Sequence, residues 1–418
     1  MDLARLFRTR VLGAAIALSL PAVGVGCSSA GEAQTSSDDV VSLPHTDVKN
    51  QAIGNCWLYA NASWLEALHK SATNEALDLS ESYWSYWHWF LQILWSADES
   101  PDNRYAALKE VETGGFCWEA SHIMKYFGAM REGDFIPEEA TSTTSRRQSS
   151  ALSAINRSLR DGVLKDRAAR KDLDLLRKEM DAAWQLSPET IARLDEAFGR
   201  NLDKSPDASS YESHRVLSST KLAVTAVDAT THAREAVALI DILPSYDGQP
   251  DGRYAWQEAY YPADPLERRA FLKRAQRALH DGVPPLLTFT VDFAAMRGST
   301  FADVPASPGR QGGHMVAMSD YEIDGVPGFG LLKAGVDASP EQLEAALADD
   351  AKMVFLRVKN SWGPTGAGSE FTVSGHYDLY MKYLDGPIKN CLQSDGTTNR
   401  DNCREETPFT SLVLPAGY

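Results

Sequence analysis

Apolar residues recur at helical spacing after residue 55 and predict three helices in the first part of the folded chain. Trp57, Ala60 and Trp64 lie three and four residues apart, so one face of a helix carries all three. Ser80 is a good N-cap for a second helix, which continues as a stripe of aromatic residues. A third helix follows a Gly-Gly pair and ends at about Phe127. Such stripes are typical of buried core faces.

Further along the chain the pattern stays helical and then becomes mixed. Residues 141–210 contain further apolar residues at helical spacing, and Ser187-Pro188 combines a cap with a first-turn proline. From residue 211 onward, short apolar runs alternate with turn residues. The runs at 314–323, 353–359 and 377–383 predict antiparallel strands.

The N-terminus has the pattern of a targeting segment. Arg5, Arg8 and Arg10 precede a short apolar stretch, residues 11–25, which is too short for a spanning helix. Cys27 follows, and the whole segment resembles a bacterial lipoprotein signal in which Cys27 carries the lipid. An ordinary secretory signal cleaved nearby remains the alternative. In both cases we expect export, and in the first a lipid anchor in the membrane of the cell envelope.

The net charge limits the class of partner, and the number of cysteines limits the possible disulfides. The net charge of −16 argues against a nucleic-acid partner. There are five cysteines. Cys391 and Cys403 flank a polar segment and are placed to close a short disulfide loop. Cys117 is then left over as a free thiol, unless it pairs with Cys56.

Three separated segments carry candidate chemistry. Cys56 follows Asn55, a good N-cap residue, so the thiol is predicted at the first turn of a helix, where the dipole favours a nucleophilic thiolate. His314 begins an apolar strand after Gly312-Gly313, and Asn360 follows another apolar strand. Each residue alone is a weak indication, whereas the three together are a strong one.

Cysteine, histidine and asparagine in this order, with these neighbours and the Gly114-Gly115 segment, resemble the papain-like cysteine peptidases. The resemblance implies an α+β fold of two lobes, one helical and one antiparallel and β-rich. It also implies hydrolysis of peptide bonds in peptide or protein substrates through a thioester, with no cofactor and no metal. Cys56 is then the nucleophile, His314 the base and acid, and Asn360 the group that orients the imidazole.

The predicted organisation follows from the pattern and the resemblance together. His314 lies 258 residues after Cys56, where roughly 130–150 is usual in this family, so the chain contains an insertion. The predicted segments are a signal peptide 1–27, a tether 28–47, a helical lobe 48–140, a helical insertion 141–210 and a β-rich lobe 211–418.

The oxyanion hole departs from the family pattern. One predicted donor is the backbone N–H of Cys56. The family's second donor is a glutamine six residues before the cysteine, but Gln51 stands five residues before it and Asn50 occupies the six-residue spacing. We expect Gln51 to serve through a tighter turn, with Asn50 as the alternative.

The resemblance also assigns residues to substrate binding: Gly114, Gly115, Phe116, Cys117, Gly313 and Trp362. The glycines at 114 and 115 leave room for a peptide backbone, and the two residues after them line an apolar pocket. The indole of Trp362 shields the histidine–asparagine bond from water.

Three alternatives stay open from the sequence. The chain is also interpretable as a non-catalytic binding protein with the same fold, or as a transglutaminase-like acyltransferase using the same three residues. Within the peptidases, the insertion also resembles bleomycin hydrolase-like aminopeptidases, in which the C-terminus occupies part of the cleft. In this chain the apolar tail, residues 411–418, would take that place.

Overall fold

The computed structural model describes residues 46–418, apart from residues 101, 229, 245–253, 365–373 and 394–397. The predicted signal peptide with Cys27, and all of the tether but its last two residues, lie outside the described residues. No helix within the described ranges combines the length and the apolar character needed to cross a membrane.

Helices dominate up to about residue 214. In chain order the α-helices are α1 (Cys56–Thr73), α2 (Glu81–Trp95), α3 (Cys117–Phe127), α4 (Arg146–Asp161), α5 (Arg167–Lys171), α6 (Leu173–Ala183), α7 (Pro188–Phe198), α8 (Tyr211–His214), α9 (Pro265–His280), α10 (Pro340–Ala345) and α11 (Met381–Leu384). Short 3-10 turns occupy Pro137–Thr141, Val163–Lys165 and Leu239–Asp241.

Strands dominate the rest of the chain. They are β1 (Ala129–Met130), β2 (Val216–Leu217), β3 (Ala223–Val227), β4 (Arg234–Ala238), β5 (Gln257–Tyr260), β6 (Leu286–Asp292), β7 (Met296–Arg297), β8 (Thr300–Phe301), β9 (Gln311–Val326), β10 (Gly330–Leu332), β11 (Lys352–Lys359), β12 (His376–Tyr380), β13 (Ile388–Asn390), β14 (Arg404–Glu406) and β15 (Phe409–Leu414). This order of helices followed by a largely antiparallel sheet confirms the predicted α+β fold.

Several of the described helices begin at a capping side chain. The Ser80 side chain accepts a hydrogen bond from the N–H of Tyr83, and Asp264 accepts one from Leu266 ahead of α9. The aromatic residues of α2 are buried except for Trp95 at its end, and Trp87 stacks on Phe127 of α3 with ring centroids 3.9 Å apart. These packed rings form the core of the helical region.

The large sheet determines where the candidate histidine and asparagine lie. Its strand order is β5-β15-β6-β9-β11-β12-β8-β7, with β10 added to β9. Strands β9 and β11 are antiparallel neighbours, with Lys359 opposite Ala317. His314, near the start of β9, and Asn360, just beyond the end of β11, are therefore brought to the same end of the sheet.

Residues 141–210 pack onto the helical region through buried polar contacts. Gln148 of α4 donates hydrogen bonds to the hydroxyls of Tyr59 and Ser82. Arg177 of α6 is fully buried and donates to the hydroxyl of Tyr86 on α2. Such contacts make these helices an extension of the helical core.

The C-terminal residues are part of the sheet, so their interpretation as a cleft occupant is wrong. Phe409–Leu414 forms β15 and pairs with β5 on one side and β6 on the other. Tyr418 donates a hydrogen bond to Asp281 just after α9 and contacts His232 edge-on. As an interior strand, β15 uses the backbone groups of both its edges for pairing and buries its apolar side chains, and this stabilises the segment in the sheet.

Candidate active site

Cys56 is the first residue of α1, and the loop before it leaves the helix end uncapped by a side chain. Asn55 stands at the N-cap position, but its side-chain amide donates to Ser85 Oγ and Gln148 Oε1, each at 3.1 Å. The predicted cap is therefore not formed. The first N–H groups of the helix remain available to the sulfur of Cys56 instead.

The thiol of Cys56 is nearly enclosed, with 9% of the residue's surface exposed. Burial raises its pKa, while hydrogen bonds from the backbone N–H groups of Met315, Trp57 and Cys56 act in the opposite direction. The burial effect is the larger, so the resting group is a thiol rather than the thiolate that the helix position favours.

His314 and Asn360 form a direct hydrogen bond. The imidazole Nε2 lies 2.8 Å from Asn360 Oδ1, and the same oxygen accepts the N–H of Ser361 at 2.7 Å. Two donors on one atom identify it as the amide oxygen, so Nε2 carries the proton. Nδ1 is then the ring nitrogen with a lone pair, which is what a general base needs.

The surroundings keep this imidazole neutral. Burial lowers the pKa of His314 to about 4, although the hydrogen bond to Asn360 raises it. Trp362 stacks on the ring with centroids 4.6 Å apart, and Phe289 of β6 meets it edge-on at 5.7 Å. The indole therefore covers one face of the imidazole.

Two hydrogen bonds connect the neighbourhoods of Cys56, His314 and Asn360. His314 bonds directly to Asn360, while the Cys56 sulfur accepts a hydrogen bond from the N–H of Met315, the next residue along β9. Among the described residues, no hydrogen bond joins the thiol to the imidazole. Catalytic hydrogen bonds often tighten only when substrate binds, so this geometry does not exclude the pair.

Gln51 is tied to the asparagine turn. Its backbone N–H donates to Ser361 O at 2.8 Å, and its side-chain Nε2 donates to Ile53 O at 2.8 Å. Asn50 forms a bridge with Trp362, and a Cβ added at Gly363 would lie 3.3 Å from Asn50 Cβ. The predicted role of Gln51 in the oxyanion hole, with Asn50 as the alternative, stays a prediction.

The Gly114-Gly115 segment lies beside the first turn of α1. Trp57 Nε1 donates to Thr113 O at 3.0 Å, and a Cβ at Gly115 would lie 2.5 Å from the Trp57 ring. A Cβ at Gly114 would meet no atom within 4 Å. Gly115 is thus required by packing, whereas Gly114 faces open space, as a substrate contact needs.

The two residues after the glycines differ in exposure. Phe116 is 52% exposed, and its ring stacks on Trp118. Cys117 is buried, and its thiol lies 3.8 Å from Asn61 Oδ1. Burial raises the pKa of Cys117 to about 12. An exposed ring suits ligand contact, whereas Cys117 is held inward by α1.

The remaining predicted residues are placed as follows. Gly313 is exposed, and no atom lies within 4 Å of where its Cβ would be. Cys391 and Cys403 form a disulfide. Cys56 and Cys117 are both free thiols, so the alternative bridge between them is not formed. The described residues include no group of three side chains suited to hold a metal ion.

A buried charge cluster beside the site was not predicted from the sequence. Lys359, next to Asn360, donates to Thr46 Oγ1 at 2.7 Å, and Thr46 donates to Glu66 on α1. Burial lowers the pKa of Lys359 and raises that of Glu66. The one available indication was a glutamate among apolar residues on the face of a helix predicted to be buried.

Lys49 extends this cluster towards α2. Its ammonium group contacts the carboxylates of Asp78, Glu81 and Glu132 and donates to Leu79 O at 2.6 Å. Burial acts to lower the pKa of Lys49, but the carboxylates outweigh it and raise the pKa. These contacts fix the segment that leads into the loop before Cys56.

Comparisons with known proteins identify solved structures of similar shape but no relative by sequence. No family model matches the chain, and no curated protein matches it. PepW from Lactobacillus rhamnosis HN001 is 14% identical, with 90% of this chain and 81% of that chain covered and a TM-score of 0.40.

Two plant enzymes are also among the similar solved structures. The Carica candamarcensis cysteine protease CMS1MS2, solved in complex with E-64, is 14% identical, with 89% of this chain and 92% of that chain covered and a TM-score of 0.30. The bromelain protease of Ananas comosus, solved with the E64 inhibitor, is 12% identical, with 89% and 93% covered and a TM-score of 0.30. At these TM-scores the similarity adds nothing to what the chain's own geometry supports.

Proposed function

We propose that this chain is an exported, papain-like cysteine peptidase that hydrolyses peptide bonds. The observation that carries the proposal is the bond from His314 Nε2–H to Asn360 Oδ1, formed one residue away from the N–H that contacts the Cys56 sulfur. This bond sets the imidazole tautomer and leaves Nδ1 to take a proton.

The proposed reaction starts from a neutral thiol and a neutral imidazole. Nδ1 of His314 takes the thiol proton as the sulfur attacks the substrate carbonyl, and the protonated ring then gives that proton to the leaving amine. Water hydrolyses the resulting thioester with the same imidazole as base. The N–H groups at the start of α1 are placed to stabilise the developing oxyanion, with Gln51 as the proposed second donor.

The test compares two buried free thiols in one chain. Wild type, Cys56→Ala and Cys117→Ala are incubated with a peptide library at neutral pH under mild reductant, and the cleaved bonds are identified by mass spectrometry. We expect cleavage by wild type and by Cys117→Ala, and none by Cys56→Ala. Equal cleavage by all three variants, or by none, would contradict the proposal.

A second candidate function is supported by two specific observations. The Gln51 side chain is occupied by Ile53 and by Ser361, and burial holds the Cys56 thiol protonated. Both features suit a non-catalytic protein that binds peptides in the same groove. If wild-type protein immobilised on a column retains peptides from the library without cleaving them, the result supports this candidate over the peptidase. Products formed with added amines would instead indicate an acyltransferase.

We also propose that lipid on Cys27 anchors the exported protein to the cell envelope. The support is the sequence pattern of basic, apolar and Gly-Cys segments. Phase separation in detergent tests it, because a lipidated wild type partitions into the detergent phase and Cys27→Ser into the aqueous phase. The same phase for both proteins would contradict lipidation at this residue.

A further inference from the structure

A cavity of about 280 Å³ lies at the far end of α1 from Cys56. Its wall includes His69, near the last turn of that helix, 13 residues after Cys56. At 1.5 Å rise per residue this is about 20 Å from the candidate nucleophile. The cavity is therefore separate from the proposed catalytic site, and its volume is near the lower end for small-ligand sites.

His69 gives the wall a buried polar atom without a partner. The residue is 6% exposed, and its Nδ1 lies 2.8 Å from Ala223 O. A carbonyl only accepts, so Nδ1 carries a proton. Nε2 is buried and has no hydrogen-bond partner within the described part of the chain. Nε2 is closed to groups of solvent size, so a ligand in the cavity does not reach it, and His69 contributes its ring to the wall.

The charged groups on the wall favour an anion. Arg131 and Lys221 are the lining cations, and Glu75 is the lining carboxylate. The side chain of Arg131 makes no hydrogen bond or ion pair within the described residues, although its charge acts on Asp134, whose N–H donates to the Arg131 carbonyl. Lys221 has Asp207 at 3.8 Å and is otherwise exposed. The guanidinium of Arg131 is therefore available for a planar carboxylate.

The rest of the wall is pre-formed and amphipathic. His214 uses both ring nitrogens, one towards Pro206 O and the other towards the N–H of Val216. Tyr211 lines the cavity with no partner for its hydroxyl among the described residues, while its ring is covered by Arg215. Apolar side chains of the neighbouring strand complete the wall.

From these features we propose that the cavity binds a small carboxylate with an apolar body, of about the size of one or two amino-acid residues. Arg131 would hold the carboxylate, and Tyr211 would donate a further hydrogen bond. An acylated amino acid with an apolar side chain has both required features, a carboxylate and an apolar body.

The experiment titrates the full chain by calorimetry with N-acetyl-leucine, N-acetyl-leucinamide and inorganic phosphate. We expect saturable binding of N-acetyl-leucine and at least about tenfold weaker binding of the neutral amide, because a charge-assisted hydrogen bond is lost. Phosphate, which has no apolar body, is expected to bind at least about tenfold more weakly too. Equal binding of the carboxylate and the amide would overturn the proposal.

Variants locate the binding. Arg131→Gln is expected to weaken N-acetyl-leucine binding about tenfold and Tyr211→Phe about threefold, while Arg157→Gln, on the solvent face of α4, leaves it unchanged. If Arg131→Gln fails to fold, Tyr211→Phe still decides the matter, because it removes a single hydroxyl. Unchanged binding in both would refute the site.

Binding is also measured in Cys56→Ala. This variant is expected to bind N-acetyl-leucine as wild type does, since the cavity and the thiol lie at opposite ends of the helix. Loss of binding in Cys56→Ala would place the ligand in the catalytic groove and overturn the proposal. Failure of the peptidase function, by contrast, leaves the binding result unaffected.

Discussion

Replacing Asn360 with alanine tests how far the site depends on one amide oxygen. That oxygen accepts two buried hydrogen bonds, from His314 Nε2–H and from the N–H of Ser361. An unsatisfied buried donor costs about 1–3 kcal/mol, so the two together cost roughly 2–6 kcal/mol if water does not enter. We expect the free energy of unfolding to fall by about 3 kcal/mol, which lies in the lower half of that range.

The effect on reactivity is estimated from the same bond. Without the amide oxygen, the imidazole is free to turn and to exchange tautomers, which costs about 1–2 kcal/mol of orientation and slows proton removal about five- to thirtyfold. The rate of Cys56 alkylation by iodoacetamide at pH 7 measures this without knowledge of the substrate. Peptide mapping separates modification of Cys56 from that of Cys117, which serves as the internal reference.

Ser361→Ala is the matched control for Asn360→Ala. It removes the hydroxyl that donates to the Gln51 side chain but keeps the backbone N–H that Asn360 accepts. The alkylation rate of Cys56 is expected to stay within about twofold of wild type, since the imidazole bond is intact. An Asn360→Ala protein that is equally stable and alkylates as fast as wild type would refute the proposed role of the amide.

Three further outcomes follow from other contacts. Gly115→Ala is expected to destabilise the fold by about 1–3 kcal/mol in urea unfolding, because its Cβ would meet an indole ring at 2.5 Å, while Gly114→Ala is neutral; equal effects would contradict the packing argument. Lys359→Met is expected to cost about 3 kcal/mol by removing the stronger of the two cations that act on the Glu66 carboxylate, the other being Lys49. Adding Glu66→Gln should restore part of that loss, and no recovery in the double variant would argue against coupling. His314 has a folded pKa of about 4, below its unfolded value near 6.5. Its contribution to the free energy of unfolding is therefore fully present above pH 6.5 and falls by about 3 kcal/mol as the pH drops to 4. His314→Gln should flatten this part of the stability–pH curve, and an unchanged curve would contradict the assigned pKa.

Local signals predicted the helices well because capping and periodicity are properties of neighbouring residues. Ser80 and the Ser187-Pro188 pair both start helices where expected, and each serine accepts the capping hydrogen bond. Asn55 has the same local preference, yet its amide is taken by Ser85 and Gln148, which lie far along the chain. A tertiary partner therefore overrode the local propensity, and no short-range pattern contains that information.

Long-range pairing explains what the sequence did not show. The parallel pairing of Asp378 with Thr300 joins β12, which was predicted as a strand, to β8, which has only two residues and no periodicity of its own. The cluster of Lys359 and Glu66 depends on a strand end and a helix face that meet only after folding. The cysteine, histidine and asparagine could be proposed from the sequence because of their immediate neighbours, whereas the groups that contact them are found only in the folded structure.

The short loop before Cys56 is fixed by the backbone on both of its sides. Gly363 N–H donates to Lys49 O at 3.1 Å, Gln51 N–H to Ser361 O at 2.8 Å, and Asn50 N–H to Thr143 O at 2.7 Å. These bonds join the entry to α1 with the turn that contains Asn360 and with the segment leading into α4. Because the joined groups are backbone atoms, the distance between the nucleophile helix and the asparagine turn depends little on which side chain stands at residue 50 or 51. The five-residue spacing between Gln51 and Cys56 therefore leaves the backbone connection between α1 and the Asn360 turn intact.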